Sequence, residues 1–254
     1  MKLTGNTILI TGGGSGIGRA IAEEFHKRGN KVIIAGRRKK HLHAVVDANP
    51  GIEAVELDIQ NAASIAAIAK DVTARFPKLN VLFNNAGIMI PDDVSTEIDD
   101  AQAVSIVTTN LLGPIRLTAA LIEHFKKQDQ AVILNNSSIL GFVPLSFTAV
   151  YSATKAAIHS YSLSLRHKLA HTSVRVQEIA PPWVRTELMG SQDAEAAMPL
   201  GDFIAETFQA LEKDTPEVLV DRAKAFRNNV GPGEYALVNQ FNDQMAGLAA
   251  SLAS

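Results

Sequence analysis

The chain has 254 residues, a formal net charge of −2, 46% hydrophobic and 20% charged residues, and no cysteine. That size and balance suit one large α/β domain, and the near-neutral charge leaves no footprint for a nucleic-acid partner. The lack of cysteine excludes disulfides, thiolate metal sites and a cysteine nucleophile, and agrees with a reducing compartment.

From the N-terminus, a short apolar run at 7–11 is cut by Gly12, Gly13 and Gly14, too soon for a signal peptide or a membrane span. The expectation is a cytoplasmic protein with no membrane segment. Further β-branched runs follow at 31–35, 53–57, 79–83, 131–135 and 173–179, with a short seventh at 217–220. Amphipathic stretches lie between them at 17–27, 39–48, 62–76, 101–127 and 151–171. This alternation predicts βαβ units, hence a doubly wound parallel sheet of Rossmann type in a single domain spanning 1–254. Beyond Pro181 the rhythm changes, with breaks at Pro199, Pro216, Gly231 and Pro232. Residues 182–215 read as a substrate lid or as a structural cap, followed by a C-terminal helical cover.

The first βα turn is Thr11-Gly12-Gly13-Gly14-Ser15-Gly16-Ile17-Gly18. Gly12 permits a tight turn, Gly16 lets the backbone approach a pyrophosphate, and Gly18 lets helix and strand pack closely. The helix N-terminus adds N–H donors and positive potential, so strand, turn and helix together point to a dinucleotide.

Tyr151 and Lys155 stand four apart, on one face of a predicted helix. A phenol ordinarily titrates near 10. A neighbouring ammonium favours the phenolate and is expected to lower that value toward working pH, where acid–base catalysis is most efficient. Ser138 ends the fifth predicted strand at its carboxyl end, where open α/β sheets bind ligands, and its hydroxyl suits a developing oxyanion. Ser137 is the rival for that place. His41 and His43, two apart on a helix, do not share a face, and no residue cluster has the spacing of a metal site.

The TGxxxGxG spacing of Thr11–Gly18 resembles the short-chain dehydrogenase/reductase family. So do Asn84-Asn85-Ala86-Gly87, Asn110, Ser138, Tyr151-Ser-Ala-Thr-Lys155, and Val184 with Thr186, all in the family's order. A narrower likeness, carried by Leu165-Arg166-His167, Ala180-Pro181-Pro182 and the stretch 226–242, is to the DltE-like subgroup encoded beside bacterial D-alanylation genes. The resemblance implies that Ser138 polarises a carbonyl and Tyr151 protonates it. It implies further that Lys155 also holds ribose hydroxyls and that Asn110 supports a proton-relay water. The step of thirteen residues to Tyr151 favours Ser138 over Ser137. The same resemblance implies cofactor contacts from Gly12, Ser15, Gly16, Ile17, Gly18, Asn85, Ala86, Gly87, Pro181, Val184 and Thr186, and an adenine contact at Asp58-Ile59. Pro182 stands where many relatives have glycine.

The second strand ends in Gly36-Arg37-Arg38, without the acidic residue that would bind a 2′-hydroxyl and repel a 2′-phosphate. Guanidinium pairs well with phosphate, so NADP(H) is preferred, with NAD(H) possible. Leu140, Phe142, Leu145, Phe147, Trp183 and Met189 would line an apolar substrate pocket, or serve as lid packing. The reading is an NADPH-dependent reductase of a ketone or aldehyde; the alternatives are an alcohol dehydrogenase working oxidatively and a non-catalytic nucleotide sensor. Alanine-rich faces at Ala119, Ala120, Ala153, Ala156 and Ala157 suggest a homodimer or homotetramer.

Overall fold

The fold is that of a computed structural model, which describes residues 1–229 and 231–252, with side chains in the last helix as far as Met245. Seven strands form one sheet: β1 (Thr7–Thr11), β2 (Lys31–Gly36), β3 (Glu53–Glu56), β4 (Leu79–Asn84), β5 (Ala131–Asn136), β6 (Val174–Ile179) and β7 (Glu217–Val218). Their order is β3-β2-β1-β4-β5-β6-β7, every pair parallel, which is the predicted doubly wound topology. The chain reverses its winding between β1 and β4, so the crevice at a topological switch point opens beyond Thr11 and Asn84.

Side chains alternate across the sheet and feed two cores. Leu9, Ile33, Leu82, Ile133 and Val176 pack toward α3 (Ala62–Arg75), α5 (Gly113–Phe125) and α6 (Ala149–Lys168). Ile8, Ile10, Ile34, Phe83 and Leu134 pack toward α1 (Gly16–Lys27), α2 (Lys39–Ala48) and α7 (Leu200–Glu212). With both faces covered, strands with near-continuous apolar runs are stable only in the interior of such a sandwich.

One element departs from expectation. The helix expected over 101–127 is divided into α4 (Asp100–Val107), a π-turn at Thr108–Leu112 and α5. Pro114 supplies the reason: it has no N–H for the carbonyl of Asn110, and its ring crowds that same carbonyl. The helix widens instead, with the Gly113 N–H reaching the Thr108 carbonyl. By length and apolar composition Asp100–Phe125 is, among the described residues, a helical stretch long enough to cross a membrane. Here its Ile106, Leu117, Leu121 and Phe125 are buried in the two cores that flank the sheet.

The stretch 182–215, read as a lid or as a structural cap, divides in two. Its C-terminal half is α7, which buries Phe203, Thr207, Phe208 and Leu211. Phe208 packs on Phe25 of α1 at 4.8 Å between ring centroids, beneath the Arg28 guanidinium at 4.7 Å. That half is a core layer. Residues 183–185 are also pinned, because the Met198 N–H donates to the Trp183 carbonyl at 2.8 Å and the Arg185 N–H to the Met198 carbonyl at 2.9 Å. Two further helices, α8 (Asp221–Arg227) and α9 (Glu234–Leu252), form the C-terminal cover.

Candidate active site

The glycine turn is shaped by two constraints. Gly16 has φ of +52°, a left-handed conformation that a side chain disfavours. A Cβ on Gly18 would lie 2.3 Å from Asn85 Nδ2 and 2.5 Å from the Gly12 carbonyl oxygen, so no larger residue fits without a shift. Thr11 ties the turn to the end of β4: its hydroxyl accepts from the backbone N–H groups of Asn85 and Ala86, both at 3.0 Å. Asn85 Nδ2 returns a bond to the Thr11 carbonyl at 2.9 Å.

Above this turn lies a cavity of about 550 Å³. Gly12, Ser15, Gly16, Ile17 and Gly18 line it, as do Arg37, Arg38, Ile59, Asn85, Ala86, Gly87, Tyr151, Lys155 and Thr186. Asp58 is not on its wall; it is half-buried, with its carboxylate accepting from the Gln60 N–H at 3.1 Å. Arg37 is exposed at one end of the cavity. Arg38 donates to the Ser15 hydroxyl at 2.7 Å and lies 3.9 Å from the Glu187 carboxylate.

A second cavity, of about 280 Å³, adjoins the first. Tyr151, Asn136, Ile17, Met89, Thr186, Leu188 and Met189 belong to both. Its walls include Ser138, Leu140, Leu145, Phe147, Pro181, Trp183 and Val184, brought there by the β5 and β6 ends. Phe142, expected in this pocket, is instead turned away and stacks edge-on against His159 at 5.0 Å, with the Arg227 guanidinium 5.2 Å from its ring. Sequence reasoning missed the far wall: Arg222, Phe226, Phe241 and Met245, all from the C-terminal cover. Asn242 fixes that cover by accepting from the Ser146 N–H at 2.5 Å and donating to the Pro144 carbonyl at 3.0 Å. The periodicity of α9 carries no sign of the loop it meets, so this wall had no local signal.

Of the four residues singled out for chemistry, Ser138, Tyr151 and Lys155 line the cavities, while Asn110 lies behind the walls of both. Tyr151 is buried between the two cavities, and burial pushes its phenol well above the ordinary range, opposed by the Ser138 hydroxyl beside it. The lowered phenol expected from Lys155 is therefore not found, because desolvation outweighs the ammonium lying 5.4 Å from the ring centroid. Lys155 donates from Nζ to the Asn136 carbonyl at 2.7 Å. Burial pushes its own value down to about 8, with the Glu178 carboxylate acting in the opposite direction.

Ser138 and Ser137 are separated by their partners. Ser138 Oγ accepts from the Leu140 N–H at 3.1 Å, and its hydroxyl is turned to the Tyr151 phenol on the cavity wall. Ser137 Oγ is spent on Glu178, at 2.5 Å. Asn110 sits in the π-turn, 2% exposed. Its Oδ1 accepts from the Ile88 N–H and its Nδ2 donates to the Ile88 carbonyl, both at 2.9 Å, so the side chain clamps the segment after β4. Its backbone carbonyl, facing Pro114, has no helical donor four residues on.

These residues fit a dinucleotide. The glycine cradle leaves no room for a Cβ at Gly18, cations stand at one end, and Asn136 Oδ1, on the wall common to both cavities, is buried without a hydrogen-bond partner.

Comparison with known proteins agrees with the geometry. Residues 6–197 match the family model for short chain dehydrogenase. An oxidoreductase of Bacillus subtilis (strain 168) called DltE, itself described as uncharacterized, is 35% identical over 96% of this chain and 99% of its own length. Among solved structures, a short chain dehydrogenase from Burkholderia cenocepacia in complex with NADP superposes with a TM-score of 0.83 at 26% identity, covering 94% of this chain and 98% of that one. A 3-ketoacyl-(acyl-carrier-protein) reductase from Brucella melitensis complexed with NADH gives 0.74 at 31% identity, covering 80% and 89%. The chain belongs to the short-chain dehydrogenase/reductase family and is an NAD(P)-dependent oxidoreductase.

Proposed function

We propose that this protein reduces a ketone or aldehyde to the alcohol with NADPH, taking the substrate into the smaller, apolar cavity. The observation that carries the reading is Tyr151, a buried phenol forming part of the wall of both cavities. The larger cavity would hold a nicotinamide, which when bound would supply hydride to the carbonyl carbon. The proton comes from the chain. Because burial holds the Tyr151 phenol neutral, its Oη keeps a proton until negative charge develops on the substrate oxygen. Ser138 donates a hydrogen bond to that oxygen, strengthening as charge accumulates. The Lys155 ammonium, braced on the Asn136 carbonyl, favours the phenolate left behind. The Asn110 carbonyl, which Pro114 deprives of its ordinary helical donor, suits the water from which the phenolate recovers its proton.

Gly12, Ser15, Gly16, Ile17, Gly18, Asn85, Ala86, Gly87, Ile59, Pro181, Val184 and Thr186 would hold the dinucleotide, with Lys155 on ribose hydroxyls. Arg37 and Arg38 support the preference for NADPH, since no carboxylate follows β2 to repel a 2′-phosphate. The apolar walls, from Leu140 and Leu145 to Phe226 and Phe241, favour a carbonyl carrying hydrophobic groups. The whole chain acts as one such domain in the cytoplasm, with the part of 182–215 ahead of α7 covering the substrate. Ala119, Ala120, Ala153 and Ala156 are exposed, as are Leu112 and Leu163, which supports assembly as a homodimer or homotetramer through the faces of α5 and α6. Light scattering that found only a 27.2 kDa species at micromolar concentration would remove the assembly. The activity itself is tested by NADPH oxidation with a panel of aliphatic and aromatic ketones and aldehydes. Turnover is expected with apolar carbonyls, and a chain that binds NADPH yet turns over none of the panel would contradict the reading.

A further inference from the structure

Beneath the site lies a buried ionic cluster to which the proposed chemistry gives no part. Glu178 is on β6, 1% exposed, beside Asn135 in the sheet register and on the face covered by α6. Two side chains hold its carboxylate. Ser137 Oγ donates to Oε1 at 2.5 Å, and His159 Nδ1 lies 2.9 Å from Oε2. His159 is four residues beyond Lys155 and eight beyond Tyr151, so all three lie on the inward stripe of α6. Ser162 continues the stripe, accepting from Asn135 Nδ2 at 2.9 Å. An unpaired buried carboxylate is costly, and a carboxylate in such a place needs compensating charge and donors.

We propose that Glu178 is a positioning residue for Lys155: fixed by Ser137 and His159, it supplies the buried negative charge that keeps the Lys155 ammonium charged within the site. The catalytic consequence rests on the role proposed above for Lys155; the electrostatic link does not. Three observations support the link. Lys155 is 4% exposed and donates to the Asn136 carbonyl, next in the chain to Ser137, which bonds Glu178, while His159, one turn along α6 from Lys155, holds Glu178 from the helix side. Burial disfavours its charged form, and Glu178 is the charge that opposes this. The surrounding groups are accounted for: Tyr151 faces Lys155 from its own helix, and Glu178 faces it from β6. Glu178 in turn meets His159 from α6 and the field of Arg227 from α8, while Arg227 is itself paired with Glu217 of β7 at 2.7 and 3.0 Å. Arg166 of α6 and His159 also act on Glu217. Glu217 thus absorbs the outer cations, and Lys155 is left with Glu178.

The experiment is NMR of the full-length, cofactor-free chain carrying 13C-labelled lysine, with the Lys155 signal assigned by its loss in Lys155→Met. The Lys155 midpoint, near 8 in the wild type, is expected to fall by roughly 0.5–1.5 pH units in Glu178→Gln, the effect of one charge removed across protein of intermediate dielectric. Glu178→Asp, which keeps the charge, should restore most of the shift. The basic limb of the kcat/KM profile with NADPH and a reducible ketone should move down with the midpoint. If Glu178→Gln does not fold, as judged by circular dichroism and melting, Glu178→Ala provides the same neutral state without an orphaned amide. A folded neutral variant with an unmoved Lys155 midpoint overturns the proposal, even if its melting temperature drops, because a purely structural role predicts that pattern. A moved midpoint with an unmoved pH–rate profile upholds the electrostatic link and removes Lys155 from the chemistry instead.

Discussion

Gly18→Ala places a methyl group where the structure has none to spare. The new Cβ would stand 2.3 Å from Asn85 Nδ2 and 2.5 Å from the Gly12 carbonyl oxygen. Gly12 cannot retreat easily, because its N–H is bonded to the Ala35 carbonyl at 2.7 Å. Asn85 can move only by surrendering its bond to the Thr11 carbonyl at 2.9 Å and the one it accepts from Asn136 Nδ2 at 3.1 Å. Overpacking of this kind costs about 1–3 kcal/mol. Loss of one or two hydrogen bonds adds about 0.5–1.5 kcal/mol each, and the better helix propensity of alanine returns about 1 kcal/mol. The net is roughly 0.5–5 kcal/mol, or roughly 1–20 °C in melting temperature for a domain of this size. Calorimetry measures the stability, and fluorescence titration with NADPH should show weakened binding, since the displaced turn is the proposed phosphate cradle. Gly201→Ala is the control: that glycine lies in α7, has no contact within 4 Å of the added methyl, and should be neutral or slightly stabilising. A Gly18→Ala variant that melts at or above the wild type would refute the steric reasoning.

Two further predictions concern charge. Gly36→Asp combined with Arg37→Ser should invert cofactor preference. Because Arg37 and Arg38 are exposed, screening limits the wild-type advantage of NADPH over NADH to roughly 10–100-fold in kcat/KM, and equal efficiency would withdraw the assignment. Lys155 should leave a mark on stability: its native value is lowered to about 8 from 10.5, so between these values the unfolded chain holds a proton that the native state has lost. Unfolding free energy should therefore gain a positive contribution as pH rises through that window, and Lys155→Met should flatten the slope in denaturant titrations at pH 8 and 10. An unchanged slope would show that Lys155 is not the group responsible.

Much of this was legible from the sequence because the signals were local. β-branched runs bounded by glycine and proline marked the strands to within a residue or two, and the order of motifs marked the family. Tyr151 and Lys155 could be paired from helical spacing alone. What was not legible depended on meetings between distant segments. Pro114 was visible, but its effect on the Asn110 carbonyl appears only once the helix is built around it. Phe142 reads as a pocket residue among its apolar neighbours, yet after the three-residue 3₁₀ turn Ile139–Gly141 it lies against His159. The direction of the Tyr151 shift was misjudged because spacing reveals a neighbouring ammonium and says nothing of burial. Phe226, Phe241 and Met245 reach the substrate cavity from the far end of the chain. Glu178 reads as one of three polar residues in its strand, beside Arg175 and Gln177, and only the packing of α6 and the β5 end gives it partners.

The central claim is that the buried phenol of Tyr151 delivers the proton. Tyr151→Phe removes one oxygen and preserves the ring that packs between the cavities. Stopped-flow measurement of hydride transfer from NADPH to an apolar ketone, alongside titration of NADPH binding, tests it most directly. The account predicts a fall of roughly 10²–10⁴-fold in the transfer rate, with cofactor affinity close to wild type. A transfer rate within tenfold of the wild type, at unchanged affinity, would contradict it.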